Sequence, residues 1–111
     1  MKIGKELMKG STVILILTLL DRKEMYGYEL TKELELKSGG LFVLKEGTLY
    51  PILHALESAH MVEAYWDEQG VRPRKYYRIT EKGRSELAEK KQEWSLFSSA
   101  VNRIVGEGGT P

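Results

Sequence analysis

Cysteine is absent from the 111 residues, which excludes structural disulfides, thiolate metal sites and a cysteine nucleophile. Histidine is scarce as well, and His54 and His60 share no evident carboxylate or nucleophile with which to form a catalytic pair. A Gly-rich phosphate loop and a cluster of metal-ligating residues are also missing. These absences argue against an enzyme and predict neither a cofactor nor a metal.

Long hydrophobic runs are absent too. The longest apolar stretch, residues 13–20, spans eight residues including one threonine, far short of the roughly 20 that cross a bilayer. It is followed by the charged residues 21–24 and not by a small-residue cleavage site, so we interpret it as a buried segment of the mature domain. Together with the lack of cysteine, this predicts a cytoplasmic protein without a membrane partner.

Charge of one sign is not in excess, because the formal net charge is only +1. Residues 71–78 nevertheless contain four cations and no acid, whereas the rest of the chain has 13 cations and 16 acids. We call these four residues the basic stripe: Arg72, Arg74, Lys75 and Arg78. A stripe of this kind is either a solvated face or a polyanion-binding surface, and composition leaves both open.

Hydrophobic periodicity predicts three helices before the basic stripe. Residues 7–20 are long enough to favour a helix over a strand, although their apolar run is unbroken. Tyr26, Leu30 and Leu34 recur every four residues in a second helix, which Gly39 and Gly40 should end. The segment LFVL that follows is at most a short strand.

The third helix begins unusually, because KEGTLYPILHALE at 45–57 places a glycine and a proline near its start. Its apolar stripe consists of Leu49, Ile52, Leu53 and Leu56. The opposite face of the helix consists of Gly47, Pro51, His54 and Ser58. With Thr48 as the N-cap, Pro51 would fall in the first turn, where a missing N–H matters little. The segment is either a well-made helix start or a flat helix N-terminus suited to a phosphate backbone.

A hairpin carries the basic stripe. VEAYWD and RKYYRIT alternate as two strands around the turn residues EQGVRP, so the stripe lies on the tip and the returning strand. The neighbouring aromatic residues are interpreted as packing for a thin sheet in preference to base-stacking platforms: Tyr65, Trp66, Tyr76 and Tyr77.

A long last helix is predicted over residues 80–105, with Thr80 as its N-cap. Its length of about 39 Å exceeds the radius of gyration of about 13 Å expected for such a domain, so it should project beyond its own core. One seam carries the apolar residues Leu87, Trp94, Phe97, Val101 and Ile104 at heptad-like spacing. This seam predicts a homodimer interface.

The order of these elements predicts a mainly α fold with a small β-hairpin. We expect a winged helix-turn-helix domain over residues 1–79, a C-terminal dimerisation helix over 80–106 and a flexible tail over 107–111. In such a fold the third helix enters the major groove of DNA and the hairpin wing lies along the backbone or an adjoining minor groove. A winged-helix module that binds another protein, without specific DNA binding, is the alternative.

Three segments, MYGYEL, KEGTLYPILHALE and RPRKYYRITEKG, resemble signature segments of the PadR family of bacterial transcriptional regulators. The resemblance runs from about Lys5 to Val105 and is strongest to the short-chain subfamily with one C-terminal helix. It implies a dimeric repressor that binds a palindromic operator in double-stranded DNA and is released by a small hydrophobic or aromatic effector. By matched position, the residues that would contact DNA are Tyr26, Tyr28, Lys45, Thr48, Tyr50, Pro51, His54, Gln69, Gly70, Arg72, Arg74 and Lys75. Among them, His54 is the best candidate for a base edge.

Trp94 has two possible roles. In some short members of the family that this sequence resembles, a tryptophan at this place faces its dimer mate and the two indoles sandwich flat aromatic drugs. Leu7 and Ile14 would then line the same effector cavity. Alternatively, Trp94 only fills the dimer interface.

His60 stands where relatives in the family that this sequence resembles often have a glycine that closes the third helix in a left-handed conformation. Histidine tolerates that conformation better than most other non-glycine residues. We therefore expect a left-handed His60, with a small loss of stability and no change of fold.

Overall fold

The fold is mainly helical, in a computed structural model that describes residues 4–106. The elements are α1 (Lys5–Arg22), β1 (Met25–Tyr26), α2 (Gly27–Lys37), α3 (Glu46–Ser58), β2 (Val62–Asp67), β3 (Arg74–Ile79) and α4 (Glu81–Val105). The predicted order of helices around a hairpin is confirmed, and residues 41–44 form no strand. The predicted tail at 107–111 lies outside the described residues.

A third strand, β1, extends the hairpin. The sheet has the order β1-β3-β2 and is antiparallel throughout. Strands β2 and β3 pair from Val62 opposite Ile79 to Asp67 opposite Arg74, while β1 places Tyr26 opposite Tyr76. Because β1 leads directly into α2, this pairing ties the start of α2 to the basic strand of the wing.

The core lies where the inner faces of α1, α2 and α3 meet the sheet and the start of α4. The predicted apolar stripe of α3 is confirmed, since Leu49, Leu53 and Leu56 are buried. Tyr77 of β3 is also fully buried, and burial raises the pKa of its phenol. No helix within residues 4–106 combines the length and the apolar character needed to span a membrane.

The start of α3 differs from the prediction. The N-cap is Lys45, so Thr48 is the third helical residue and Pro51 lies in the second turn. The prediction chose Thr48 as the N-cap because its side chain is of a type that caps helices. In the structure the helix begins earlier, since the backbone N–H groups of Thr48 and Leu49 both donate to the Lys45 carbonyl, over 2.9 and 3.0 Å. Pro51 is tolerated because the carbonyl that its ring crowds belongs to Gly47, which adds no side chain.

The end of α3 matches the expectation for His60. This residue has φ 62° and is the non-glycine residue with positive φ in the described chain. Its N–H donates to the Glu57 carbonyl over 3.0 Å, and the Met61 N–H reaches back to Leu56 over 2.9 Å, as in a left-handed helix end. The chain then turns directly into β2.

Helix α4 begins as predicted and extends well beyond the core. The Thr80 hydroxyl accepts a hydrogen bond from the Gly83 N–H over 3.0 Å. The described chain measures 60 Å along its longest axis, and its radius of gyration is 16.0 Å, above the value of about 13 Å expected for a compact domain of this size. The long helix therefore projects from the body of the molecule.

The placement of Leu87 in the dimer interface is wrong. Leu87 is only 3% exposed in the single chain and belongs to its own core. The first turns of α4 pack against α1, where Arg84 Nε lies 3.0 Å from Asp21 Oδ1, so heptad spacing here reflects packing within the chain. The exposed part of the predicted seam is Trp94, Phe97, Val101 and Ile104, at 42, 57, 38 and 85%.

Candidate nucleic-acid interface

An open cleft lies between the starts of α2 and α3 and the cationic part of the wing. It is lined by Tyr26, Tyr28, Glu46, Tyr50, Trp66, Arg72, Pro73, Arg74 and Lys75. Six of these residues come from the predicted DNA-contacting set, and they derive from three separate segments of the sequence. The fold therefore brings together the aromatic pair before α2, the start of α3 and the basic stripe.

The basic stripe is divided by its ion pairs. Lys75 Nζ lies 4.0 Å from Glu57 Oε1 of α3. Arg78 is held more firmly, with its Nε at 2.9 Å from Glu63 Oε1 and an Nη1 at 4.0 Å from Glu24 Oε2. The charges of these two cations are offset by carboxylates of the same chain, so they contribute less to the field in the cleft.

Arg72 and Arg74 carry the remaining positive charge of the stripe. Both are exposed and line the cleft, and within residues 4–106 neither has a carboxylate oxygen within 4.0 Å. The Arg74 guanidinium carbon lies 4.5 Å from the centroid of the Tyr26 ring, and its Nη1 donates to the Tyr26 hydroxyl. These are the cations of the stripe that are available to an anionic partner.

Aromatic rings build one wall of the cleft. Tyr26 and Tyr28 stack with centroids 6.4 Å apart and an interplanar angle of 20°, and Tyr76 meets Tyr26 edge-on at 5.4 Å. Lys32 Nζ stands 5.3 Å from the centroid of the Tyr28 ring. Cations placed over ring faces are attracted by the π-electrons, so this wall holds positive charge at the surface without carboxylates.

Tyr50 lines the cleft but is half-buried. Its ring packs over the start of α2, where a Cβ built on Gly27 would stand 2.5 Å from the Tyr50 hydroxyl oxygen. The absence of a side chain at Gly27 therefore allows α2 and α3 to approach closely. Gly27 was not singled out from the sequence as a site residue, although it is the central residue of the Tyr-Gly-Tyr motif.

The outer face of α3 is exposed as predicted. The four residues of the predicted outer face, Gly47, Pro51, His54 and Ser58, are all exposed, and so are Lys45 and Thr48 at the helix start. Among the described residues, no side chain caps the N-terminus of α3, and the position of a Cβ on Gly47 has no other heavy atom within 4 Å outside the local helix backbone. A large flat surface can therefore approach this helix end closely, with Glu46 supplying one negative charge at the edge of the cleft.

The wing tip is held by a local turn. Gln69 and Gly70 are exposed between β2 and β3, and the Gln69 N–H donates to Asp67 Oδ1 over 3.0 Å. Val71 beside them is fully exposed. The tip is thus shaped by a backbone-to-side-chain hydrogen bond and presents Gln69, Gly70 and the apolar Val71 ahead of Arg72.

The interpretation of the wing aromatics as packing residues is correct except for Trp66. Tyr77 is buried, and Tyr65 stacks on Tyr76 with centroids 5.8 Å apart. Trp66 is 61% exposed and lines the cleft. Alternation along β2 assigns Trp66 to one face of the sheet, but the sequence does not show that this face opens into the cleft.

The residues predicted to line an effector cavity lie on α1 and α4, which pack together. Leu7 is 62% exposed, Ile14 is half-buried, and Trp94 is 42% exposed with its ring 6.0 Å from Phe97. In a single chain these side chains leave apolar surface uncovered. Their role in binding an effector stays a prediction.

These features define a winged-helix protein of the DNA-binding type, with three packed helices, a short sheet and a cationic cleft. The chain belongs to the transcriptional regulator PadR-like family, whose sequence profile matches residues 16–89. The matched region contains α2, α3 and the whole wing, so it includes the residues that line the cleft.

Solved structures show the same architecture. A transcriptional regulator from Clostridium thermocellum is 35% identical, with a TM-score of 0.86 over 93% of this chain and 98% of that one. A PadR family regulator from Eggerthella lenta is 37% identical, with a TM-score of 0.80 over 90% and 86%. PadR from Bacillus subtilis, solved in complex with operator DNA, is 28% identical, with a TM-score of 0.64 over 70% of this chain and 44% of that one.

Proposed function

We propose that this protein is a homodimeric repressor that binds a palindromic operator in double-stranded DNA. The observation that carries the proposal is that Arg72 and Arg74, which have no carboxylate partner among residues 4–106, line the same cleft as the start of α3, whose N-terminus is uncapped. A polyanion in this cleft would be attracted by the charges of both arginines. The small side chains on the outer face of α3 would allow this helix to enter a DNA groove. The similarity to a regulator solved with operator DNA supports this choice over a module that binds another protein.

In the proposed complex, α3 lies in the major groove and the wing follows the backbone. His54 is the candidate for a base edge, because imidazole nitrogens can donate to or accept from bases and His54 is exposed on the outer face. Lys45, Thr48 and Pro51 would set the distance of α3 from the groove. Gln69 and Gly70 would let the wing tip approach the sugar-phosphate backbone closely.

The proposed dimer forms through the exposed seam of α4. Trp94, Phe97, Val101 and Ile104 together present an apolar face on a helix that projects from the body. Pairing this face with a twofold copy would remove it from water. Two copies of α3 would then address half-sites separated by about one turn of DNA, or about 34 Å.

Binding to fragments of the source genome tests the proposal. We expect the full-length protein to retain a small set of fragments, to protect a palindromic element in them, and to bind as two chains per element. Scrambling one half-site should weaken binding by roughly 10-fold or more, since each mismatched base pair costs about 1–3 kcal/mol. Retention of random fragments with equal affinity, or no retention, would contradict the proposal and favour a protein-binding module.

For the effector, we propose a planar hydrophobic or aromatic compound bound between the two copies of Trp94, with Leu7 and Ile14 beside it. The indole is large, partly exposed and next to Phe97, so a flat ring can stack on it. Binding there would change the angle between the α4 helices and hence the spacing of the two wings. Release from DNA would follow from that change.

Fluorescence of Trp94 tests the effector site. The chain has only one other tryptophan, Trp66, so Trp66→Phe leaves Trp94 as the single reporter. We expect planar hydrophobic dyes to quench its emission in a saturable manner and to weaken operator binding at the same concentrations. Trp94→Phe, for which the emission of the dye itself is followed, should lose dye binding while remaining a dimer in size-exclusion chromatography. Undiminished dye binding by Trp94→Phe would remove Trp94 from the effector site.

A further inference from the structure

We infer that Tyr26 is a positioning residue that acts on DNA through Arg74, without touching DNA itself. This inference rests on the proposed function, since it concerns how the cleft engages a phosphate backbone. The resemblance to the PadR family implied only that Tyr26 is among the residues that contact DNA. The geometry assigns it a different role, because its hydroxyl already accepts from Arg74 Nη1 and its ring face is covered by the same guanidinium.

Tyr26 is itself held on several sides, which makes it a fixed platform. Its backbone pairs with Tyr76 in the sheet, and its N–H donates to Glu29 Oε1 of α2 over 3.2 Å. Its ring is stacked on Tyr28 and meets Tyr76 edge-on. The guanidinium of an arginine that packs on this ring is therefore held in a defined orientation by contacts to both α2 and the sheet.

Arg74 needs such a platform because it is exposed and begins the returning strand. An unrestrained arginine loses rotamer freedom when it binds a phosphate, and that loss weakens the complex. A carboxylate could also orient it, as Glu63 orients Arg78, but would offset its charge. A tyrosine ring orients the guanidinium and leaves its full charge for DNA.

A double-mutant cycle on operator affinity separates the two roles of Tyr26. Acting through Arg74, Tyr26→Leu should weaken operator binding roughly fivefold to tenfold in the otherwise natural chain and less than about twofold in an Arg74→Ala background. Tyr26→Phe keeps the ring and loses only the hydroxyl, so its loss should be smaller. Equal losses from Tyr26→Leu in both backgrounds would overturn the inference and indicate direct contact with DNA.

Tyr65→Leu is the matched control. Tyr65 also lies under an arginine, with the Arg78 guanidinium carbon 5.1 Å from its ring centroid, but that arginine is paired with Glu63 and Glu24. We expect Tyr65→Leu to change operator affinity less than about twofold. A loss as large as that of Tyr26→Leu would overturn the inference, because general damage to the wing would explain both.

A measurement on the free protein separates this inference from the proposed function. In NMR spectra without DNA, the side-chain protons of Arg74 should be shifted upfield by the Tyr26 ring, and the shift should vanish in Tyr26→Leu but persist in Tyr26→Phe. If Arg74 shows no ring shift, the platform does not exist and the inference fails even though the operator is bound. If the shift is present and the natural chain binds no DNA, both the proposed function and the role of Tyr26 in it fail.

Discussion

Gly83→Ala is expected to destabilise the fold by about 3 kcal/mol or more. A Cβ on Gly83 would stand 2.1 Å from the Met61 carbonyl oxygen and 2.7 Å from Ile79 Cγ1. The carbonyl cannot easily move away, because it accepts hydrogen bonds from the Thr80 N–H over 3.0 Å and the Thr80 hydroxyl over 3.1 Å. Relief of the clash would therefore break the junction where α4 leaves the wing.

Urea unfolding at one fixed protein concentration measures this effect, since the stability of a dimer depends on concentration. Gly10→Ala is the matched control, because Gly10 lies inside α1 and, within residues 4–106, its Cβ position has no heavy atom within 4 Å outside the local backbone. That change should stabilise the protein by about 0.5–1 kcal/mol through helix propensity. Similar midpoints for both variants would contradict close packing at the start of α4.

The parts of the fold that could be predicted are those with a local signal. The apolar stripe of α3, the hairpin and the Thr80 cap each arise from residues that are close together in the sequence. The left-handed His60 is expected from the resemblance to a family whose members often have glycine at this position, and not from a local signal. By contrast, β1 has two residues, too few to show alternation, and it exists because β3 offers an edge.

The parts that failed depend on contacts between distant segments. Heptad spacing places Leu87 and Trp94 on one seam, but only the tertiary fold decides that Leu87 faces α1 and the sheet while Trp94 lies beyond them. The charge of Arg78 is offset mainly by Glu63, which lies directly opposite it in the hairpin, and further by Glu24, which lies far away in sequence and is brought close by β1. The four cations of the basic stripe therefore looked equivalent in sequence and are not equivalent in the fold.

This inequality gives the second large effect. Replacing both Arg72 and Arg74 with alanine is expected to weaken operator binding roughly 100-fold or more at moderate salt, and to flatten the log–log dependence of affinity on salt. A dimer would lose four phosphate contacts, and each contributes about 0.9 to the slope, so the slope should fall by about 3 to 4. Filter binding or fluorescence anisotropy over a salt series measures both quantities.

Arg78→Ala is the control that makes this result specific, because it removes an arginine from the strand that Arg74 begins. Its charge is already offset by Glu63 at 2.9 Å and Glu24 at 4.0 Å, so the slope should change by less than about 1 and affinity by a few-fold at most. If DNA were attracted only by the net charge of the protein, each arginine of the stripe would contribute equally to the salt dependence. Equal slopes for Arg78→Ala and a single Arg74→Ala would therefore contradict the assignment of the cleft as the DNA site. A large difference between the two slopes would show that the salt dependence comes from the arginines that have no carboxylate partner among the described residues.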